Sequence, residues 1–478
     1  MGGVAQPGGP GHAEGTAPRA GRTVRIGSGS GYWGSALEPA LDLAERGHLD
    51  YIGFDYLAEL TMSLLQRERL RNPGKGYIED MVEMVRSLLP AAIRNGTRLV
   101  ANGGGANPLG AAERALAVAR ELRLPLRVGV VEGDDILVQL PRLEASGWEF
   151  VNLDTGERGL DGIRDRIVAA HAYLGAEGIA EALGAGAQLV VTGRVSDNAL
   201  YVGPLMHEFG WRYEEPYWDR IAAAVTVGHL IECAEMVTGG MTVRWRETPD
   251  PWNLGYPIAE VTELPGGRVE AVITKLPGTG GRVDSWSVKE HLVYEVHDPR
   301  KYVMPDAVAD FTRLRLTDLG EDRVLVREMG GGPRPDTLKV QIGYTDGWIA
   351  EGRLGVSWPY ALEKARRIEE WLRRRLEMRG VRPLELRFDR VGVDMLHGEA
   401  APWPDDEDAV NEIELRVAVR TRTPEEAETA RREFFLATTW GPAGTGWGAP
   451  LRTRQVISLF PTLVPREAVE VRVRTLDA

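Results

Sequence analysis

Two spacings of hydrophobic residues alternate along the first half of the chain. Short apolar runs, typical of buried strands, are separated by stretches in which apolar residues recur every three or four positions, which is typical of amphipathic helices. The strand-like runs are 23–27, 50–54, 99–102, 126–131, 150–153 and 188–192. The helical stretches are 35–46, 56–70, 79–94, 109–122 and 177–183. This alternation predicts an α/β domain with a doubly wound, mostly parallel sheet over residues 22–215.

The pattern changes after residue 215. A long apolar helix is predicted from 218 to about 237, and the strand candidates that follow are spaced for hairpins. These candidates are 258–264, 269–274, 291–296, 324–327, 338–342, 384–393, 412–420 and 455–459, with helices at 359–379 and 425–437. We therefore predict a second domain, of α+β type with a mixed sheet, over 216–478. Residues 1–21 contain too few apolar side chains to pack and are predicted to be a disordered leader.

Composition excludes several classes of protein. The 478 residues are 43% hydrophobic and 27% charged, as in an ordinary globular protein. A formal charge of −13 disfavours nucleic acid as a partner. No apolar run reaches the roughly 20 residues that span a bilayer, and no signal peptide is recognisable, so no membrane contact is expected. Cys233 is the single cysteine and cannot form an intrachain disulfide, which suits a cytoplasmic protein.

The first strand-like run enters a glycine-rich turn. Backbone N–H groups freed at such a turn can hold a phosphate or a carboxylate, so Gly29, Ser30 and Gly31 are candidate substrate-binding residues. The turn matches neither a Walker loop nor the dinucleotide fingerprint. A purely structural turn is therefore the alternative.

A second glycine-rich turn follows the predicted strand 99–102, at a place where doubly wound sheets bind ligands. Asn102 and Asn107 flank three glycines there and could donate to a carbonyl or enolate oxygen. Gly104 and Gly105 could leave space for the ligand. The alternative is a tight turn in which Asn107 caps the next helix.

Charged side chains follow three other predicted strands, namely Asp55, the pair Asp134 and Asp135, and the segment with Arg194 and Asp197. Parallel strands end at one edge of a sheet, so these groups are expected to converge. Carboxyl groups of this kind can share general acid and base roles, and an arginine can bind a carboxylate or phosphate. Taken singly, each residue is equally well explained as a helix cap or a structural ion-pair partner.

Two more groups carry possible chemistry. Lys275, Thr279 and Gly280 lie in a loop that could cradle a phosphate or a thioester oxygen, or could be a surface hairpin. His229 and Glu232 share a helix face with the cysteine, and this set either packs or contributes to a metal site. Because a catalytic zinc needs more ligands than this set supplies, no metal and no cofactor are predicted.

Several segments, taken in their order along the chain, resemble the acyclic terpene utilisation family, AtuA. The matching segments are 25–34, 54–59, 102–108, 133–135, 192–200, 228–233, 238–240, 254–261, 273–283, 289–292, 294–295 and 298–299. The resemblance implies a place in the catabolism of branched acyl-CoA compounds such as those from acyclic terpenes. Longer members carry a further C-terminal domain, which implies a separately encoded small subunit as a partner, and we also expect a homo-oligomer.

The residues and the resemblance lead to one main hypothesis and two alternatives. The main hypothesis is an enzyme that acts on a branched acyl-CoA by proton transfer next to the thioester carbonyl, as a hydratase or lyase. Its expected catalytic residues are Asp55, Asn102, Asn107, Asp135, Arg194 and Asp197. The alternatives are a non-catalytic ligand- or partner-binding subunit of an acyl-CoA-processing complex, and a metal-dependent hydrolase that uses His229.

Overall fold

The computed structural model describes residues 21–448 and 452–478. The predicted leader therefore lies outside the described residues, apart from Gly21. The strands are β1 (Thr23–Ser30), β2 (Tyr51–Phe54), β3 (Arg98–Ala101), β4 (Arg127–Glu132), β5 (Ile167–Ala172), β6 (Leu189–Thr192), β7 (Pro257–Glu263), β8 (Val269–Lys275), β9 (Tyr302–Val303), β10 (Val308–Ala309), β11 (Arg315–Gly320), β12 (Arg323–Arg327), β13 (Gly331–Gly332), β14 (Thr337–Ser357), β15 (Glu385–Val391), β16 (Glu412–Thr421), β17 (Thr445–Trp447), β18 (Arg452–Pro465) and β19 (Arg472–Asp477).

Eleven α-helices accompany these strands in the described ranges. They are α1 (Glu38–Arg46), α2 (Glu59–Arg71), α3 (Glu79–Asn95), α4 (Pro108–Leu122), α5 (Leu140–Ala145), α6 (Glu177–Gly184), α7 (Ala199–Phe209), α8 (Trp218–Ile231), α9 (Ser285–Leu292), α10 (Ala361–Met378) and α11 (Pro424–Trp440). Within this described part, no helix is long and apolar enough to cross a bilayer.

The larger of two compact units contains a ten-stranded sheet. This unit comprises residues 21–160, 169–342 and 461–478. The strand order is β11-β12-β8-β7-β1-β2-β3-β6-β4-β19. The central strands β1, β2, β3, β6 and β4 run parallel, and the outer strands on both sides are antiparallel. The carboxyl ends of five parallel strands therefore meet at one edge.

Helices form two groups around this sheet. The buried faces of α1, α3 and α4 pack in one apolar core with side chains of β2, β3, β4 and β6. A second group, α6, α7 and α8, packs in sequence, with α6 against β4, α7 against β2 and α8 against β7 and β8. The sheet is mixed, so the prediction of a doubly wound, mostly parallel sheet is not confirmed. The α/β class is correct.

The reason for this difference lies in the hairpin β7–β8. The sequence correctly indicated a hairpin there, and we assigned it to a second domain. In the structure, β7 pairs antiparallel with β1, and β8, β12 and β11 extend the same sheet. The division into compact units accordingly differs from the predicted boundary after residue 215.

The smaller unit comprises residues 161–168, 343–448 and 452–460. Its antiparallel sheet has the order β15-β16-β14-β17, and β18 and β5 also pair with β14. Along the chain the elements follow one another as β14, α10, β15, β16, α11 and β17. This is the order of a split βαβ arrangement. Apolar side chains of α10 and α11 pack on β14 and β16 to form the core.

Three predicted elements differ from the structure. The predicted strand 291–296 begins inside α9, because an Asp284 cap with a Ser287 partner starts a helix there. The predicted strand 150–153 contains only an isolated bridge from Val151 to Arg158. The predicted long helix ends at Ile231 and is followed by a short 3₁₀ turn.

Candidate functional site

A hydrogen-bonded group joins the carboxyl ends of β1, β2 and β3. The Ser30 hydroxyl donates to the backbone carbonyl of Asp55 at 2.8 Å. The Asn102 side-chain amide donates to Asp55 Oδ1 at 2.6 Å, and its own oxygen accepts from the Tyr56 N–H at 2.8 Å. Asp55 and Asn102 are buried. Three predicted site residues are thus brought together at the edge where the central strands end.

Arg194, which follows β6, joins this group from the other side. The residue is 1% exposed. Its guanidinium stacks 4.2 Å from the centre of the Tyr173 ring and donates to the Leu57 carbonyl at 2.6 Å. It also forms an ion pair with Asp197. Two of its three nitrogens therefore donate within the protein, and its Nε is buried without a hydrogen-bond partner among the described residues.

The two acids of this group differ in exposure. Burial raises the pKa of Asp55 well above its usual value, and the charge of Asp197 raises it further, while Arg194 and the Asn102 amide oppose the shift. Asp55 is consequently favoured as a neutral carboxylic acid. The Asp197 side chain is 35% exposed and paired with Arg194, so it is the member that solvent reaches. Burial raises the pKa of Asp197 as well, and its ion pair with Arg194 opposes that shift. Both acids therefore stand near a single guanidinium.

Glu232, just after α8, belongs to the same electrostatic group. It is 7% exposed. Burial raises the pKa of Glu232 well above its usual value, with further contributions from Asp197 and Glu295 and an opposing one from Arg194. The sequence predicts a role for this residue only within the set that either packs or contributes to a metal site. Its sequence signal was present, because an acid on an apolar helix face must find a partner or lose its charge.

The metal interpretation of this helix finds no geometric support. His229 Nδ1 lies 3.3 Å from Glu232 Oε1, and its Nε2 lies 3.2 Å from the Leu292 carbonyl. Both ring nitrogens are thus hydrogen-bonded. Among the described residues, no group of three or more His, Cys, Asp or Glu side chains is arranged to hold a metal ion.

The adjacent acids Asp134 and Asp135 have different surroundings. Asp134 is buried, lies 2.8 Å from His171 Nδ1 and accepts from the Arg194 backbone N–H at 3.0 Å. Asp135, the one we selected, is exposed and accepts from the Leu137 N–H at 3.1 Å. The structure therefore places Asp134 against the Arg194 loop and Asp135 at the surface.

Asn107 acts as a helix cap. Its Oδ1 accepts from the Gly110 N–H at 3.1 Å at the start of α4, and its Nδ2 donates to the carbonyls of Lys75 and Pro73 at 3.0 and 3.3 Å. The side-chain amide is thus saturated by protein groups. This matches the structural alternative that we stated for this residue.

The first glycine turn is filled by protein atoms. A Cβ on Gly29 would lie 2.3 Å from the Phe54 ring, and one on Gly31 would lie 2.8 Å from the Cys233 backbone. These glycines permit close packing of β1 against β2 and against the segment after α8. In these contacts, Gly29 and Gly31 act as packing residues on either side of Ser30.

The second glycine turn is equally close-packed. A Cβ on Gly104 would lie 2.5 Å from the Thr192 carbonyl oxygen, and one on Gly105 would lie 2.4 Å from Leu65. Gly105 also has a positive φ of 51°, which L side chains rarely adopt. Gly104 thus allows the ends of β3 and β6 to approach each other, and Gly105 packs against α2.

The Lys275 loop forms a separate internal contact. Lys275 Nζ donates to the Thr279 carbonyl at 2.8 Å and pairs with Asp322 at 3.0 Å. The Gly280 N–H donates to the Asn253 carbonyl at 2.7 Å. Lys275, Thr279 and Gly280 are therefore held by neighbouring loops, and none of these contacts reaches Asp55 or Arg194.

Fold and site together define an α/β protein with buried acids around one arginine at the edge of its central parallel strands. A comparison with family models agrees with this description: the model described as acyclic terpene utilisation family protein AtuA matches residues 24–475. The chain belongs to that family. Neither the curated proteins nor the solved structures contain a match to it.

Proposed function

We propose that this chain is an enzyme of acyclic terpene or branched acyl catabolism that moves a proton next to the carbonyl of a branched acyl-CoA thioester. Family membership supports the metabolic context. One observation carries the chemistry: a buried acid that favours its neutral form, Asp55, stands beside the solvent-reachable ion pair of Asp197 with Arg194. Environments that separate the pKa values of neighbouring acids are a means of assigning acid and base roles.

In this proposal, Asp197 is the base that removes the proton from the carbon next to the carbonyl. Its exposure lets a substrate approach. Burial raises the pKa of Asp197, and the ion pair with Arg194 opposes that shift and favours the ionised form. Asp55 donates a hydrogen bond to the developing enolate oxygen, because a neutral carboxyl group carries the needed proton. Asn102 and Arg194 are positioning residues, since their hydrogen bonds orient Asp55 and Asp197.

Deuterium exchange tests this proposal directly. The purified protein is incubated with branched acyl-CoA esters in D₂O, and label on the carbon next to the carbonyl is measured by mass spectrometry. We expect exchange with the unmodified protein and a 100-fold or greater loss in Asp197→Asn, the scale on which general bases contribute. Asp154→Asn, at an exposed aspartate outside this group, is the matched control. Equal exchange rates in the Asp197 and Asp154 variants contradict the proposal.

A second candidate is a non-catalytic subunit that binds a ligand or a partner. The close packing of both glycine turns favours it, because these turns leave little room for a ligand. In that case acyl-CoA esters would raise the melting temperature of the protein without any exchange of label, in the unmodified protein and in Asp197→Asn alike.

A further inference from the structure

The hydrogen bonds of His229 fix which of its nitrogens carries a proton. The Leu292 carbonyl can only accept, so Nε2, 3.2 Å away, must be the donor. Burial lowers the pKa of His229 to about 4, which leaves the ring neutral at neutral pH. A neutral imidazole with a proton on Nε2 has an unprotonated Nδ1, and Nδ1 is then an acceptor.

Glu232 stands against that acceptor. Its Oε1 lies 3.3 Å from His229 Nδ1, where a carboxylate would face a lone pair with no proton between them. A protonated carboxyl group turns the same contact into a donor–acceptor hydrogen bond. The Tyr302 hydroxyl lies 3.4 Å from the same nitrogen and can also donate to it.

The remaining charges around Glu232 favour the same state. Interactions with Asp197 and Glu295 raise the pKa of Glu232, while Arg194 acts on it in the opposite direction. Arg194 is already paired with Asp197. The other oxygen of Glu232, Oε2, is buried and has no hydrogen-bond partner among the described residues.

We propose that Glu232 is the second acid of the site, kept protonated by His229, and that it donates its proton to the leaving hydroxyl group of a hydroxyacyl-CoA substrate. This assignment rests on the proposed function and makes it specific for water elimination. It also separates the tasks of the three acids. Asp197 removes the carbon-bound proton, Asp55 faces the carbonyl oxygen, and Glu232 serves the departing oxygen.

The step balances without any further reagent. The carbon–hydrogen bond breaks as Asp197 takes the proton, and its electron pair becomes the new carbon–carbon double bond. The carbon–oxygen bond breaks with its electron pair on oxygen. The Glu232 O–H turns from His229 Nδ1 to this oxygen and protonates it, the Tyr302 hydroxyl replaces it as donor to Nδ1, and the oxygen leaves as water. Asp197 ends protonated and Glu232 ends ionised, and proton exchange with solvent restores both.

Infrared spectroscopy tests the protonation state without a substrate. Glutamine can still donate an N–H to His229 Nδ1, so Glu232→Gln preserves the contact. At neutral pH, the spectrum of the unmodified protein minus that of Glu232→Gln is expected to contain the carbonyl band of a protonated carboxylic acid. The control is Glu113→Gln on the exposed side of α4, whose difference spectrum should show ionised carboxylate bands.

Nitrogen NMR of the His229 ring provides a second measurement of the protonation state. His229 is expected to show a proton on Nε2 and none on Nδ1 at neutral pH. An ionised carboxylate band for Glu232, or a doubly protonated His229, overturns the assignment. Both readings are independent of activity, so they decide the protonation state even if no acyl-CoA ester is a substrate.

Activity then tests the role of the proton. Glu232→Gln is expected to lose water elimination by 100-fold or more, within the range of general acid catalysis, while deuterium exchange falls much less. Asp197→Asn should lose both. Full elimination activity in Glu232→Gln overturns the donor role. Absence of both exchange and elimination in the unmodified protein contradicts the proposed function instead.

Discussion

Asn102 donates its side-chain amide to Asp55 at 2.6 Å, and this contact joins the ends of two neighbouring parallel strands. Because the same amide oxygen accepts from the Tyr56 N–H, the orientation of Asn102 is fixed. The lone pair of Asp55 Oδ1 is engaged by this amide and by the Leu57 N–H at 3.2 Å. Any proton on Asp55 is therefore directed to its other oxygen.

Replacement of Asp55 by asparagine should flatten the dependence of stability on pH. The folded-state pKa of Asp55 is raised above its ordinary value of 3.8, so the free energy of unfolding is highest below that value and decreases as pH rises toward the folded-state pKa. Asp55→Asn has no such proton to lose and should be at least as stable as the unmodified protein at pH 7. Urea unfolding from pH 4 to pH 8 measures this, with Asp135→Asn as the exposed control. Parallel profiles for all three proteins would contradict the prediction.

Asp306 should make a second contribution of the same sign. This fully buried carboxyl group accepts from the Ala176 N–H at 2.7 Å and from the Tyr213 hydroxyl. Burial and the nearby Glu177 raise its pKa from 3.8 to about 6, with Arg466 opposing. A shift of this size corresponds to roughly 3 kcal/mol of stability that is lost between pH 4 and pH 6.

Asp306→Asn keeps an oxygen acceptor for both donors. It should therefore raise the free energy of unfolding at pH 7 by up to about 3 kcal/mol and remove the decrease between pH 4 and pH 6. The measurement is a melting-temperature series across that range. A variant that is less stable than the unmodified protein at pH 7 shows that the ionised carboxylate is needed.

Alanine at Gly29 should destabilise the protein through crowding. The added methyl group would lie 2.3 Å from the Phe54 ring, and overpacking of this kind typically costs about 1–3 kcal/mol. Gly355→Ala in β14 is the control, because an added Cβ there has no atom within 4 Å. Chemical denaturation of both variants checks the difference, and equal stabilities would mean that β1 and β2 can separate at little cost.

Methionine at Lys275 should lower stability by about 1–3 kcal/mol, because the Thr279 carbonyl loses a buried donor and Asp322 loses its cation. The exposed Lys289, changed to methionine, is the control. Thermal shift by acyl-CoA esters should be the same in both variants. If Lys275→Met abolishes that shift at unchanged stability, the loop binds the ligand as its sequence suggested.

The central strands could be predicted because their residues carry their own signal. The strands β2 and β6 are short, wholly buried and apolar, and their observed bounds differ from the prediction by one residue. In contrast, β5 follows the charged turn Arg164–Arg166 and contains His171, so its apolar run is too short to stand out. Its strand form depends on pairing with β14, which is distant in the sequence.

The candidate site could likewise be predicted only in part. A polar residue after a predicted strand indicates the right edge, and Asp55, Asn102, Arg194 and Asp197 do meet there. Sequence alone does not give the direction of a side chain after the last strand residue. It therefore could not separate the buried Asp134 from its exposed neighbour.

The pairing of β7 with β1 has a practical consequence for dissecting the gene. A fragment cut after residue 215 would lack the strand that covers positions 23–27, where Thr23 pairs with Thr262 and Gly27 with Ile258. The backbone N–H and C=O groups along this edge of β1 would be unpaired, and an unpaired strand edge promotes aggregation with other molecules. Such a truncated product is expected to precipitate. A fragment that keeps the β7–β8 hairpin in the same polypeptide should avoid this.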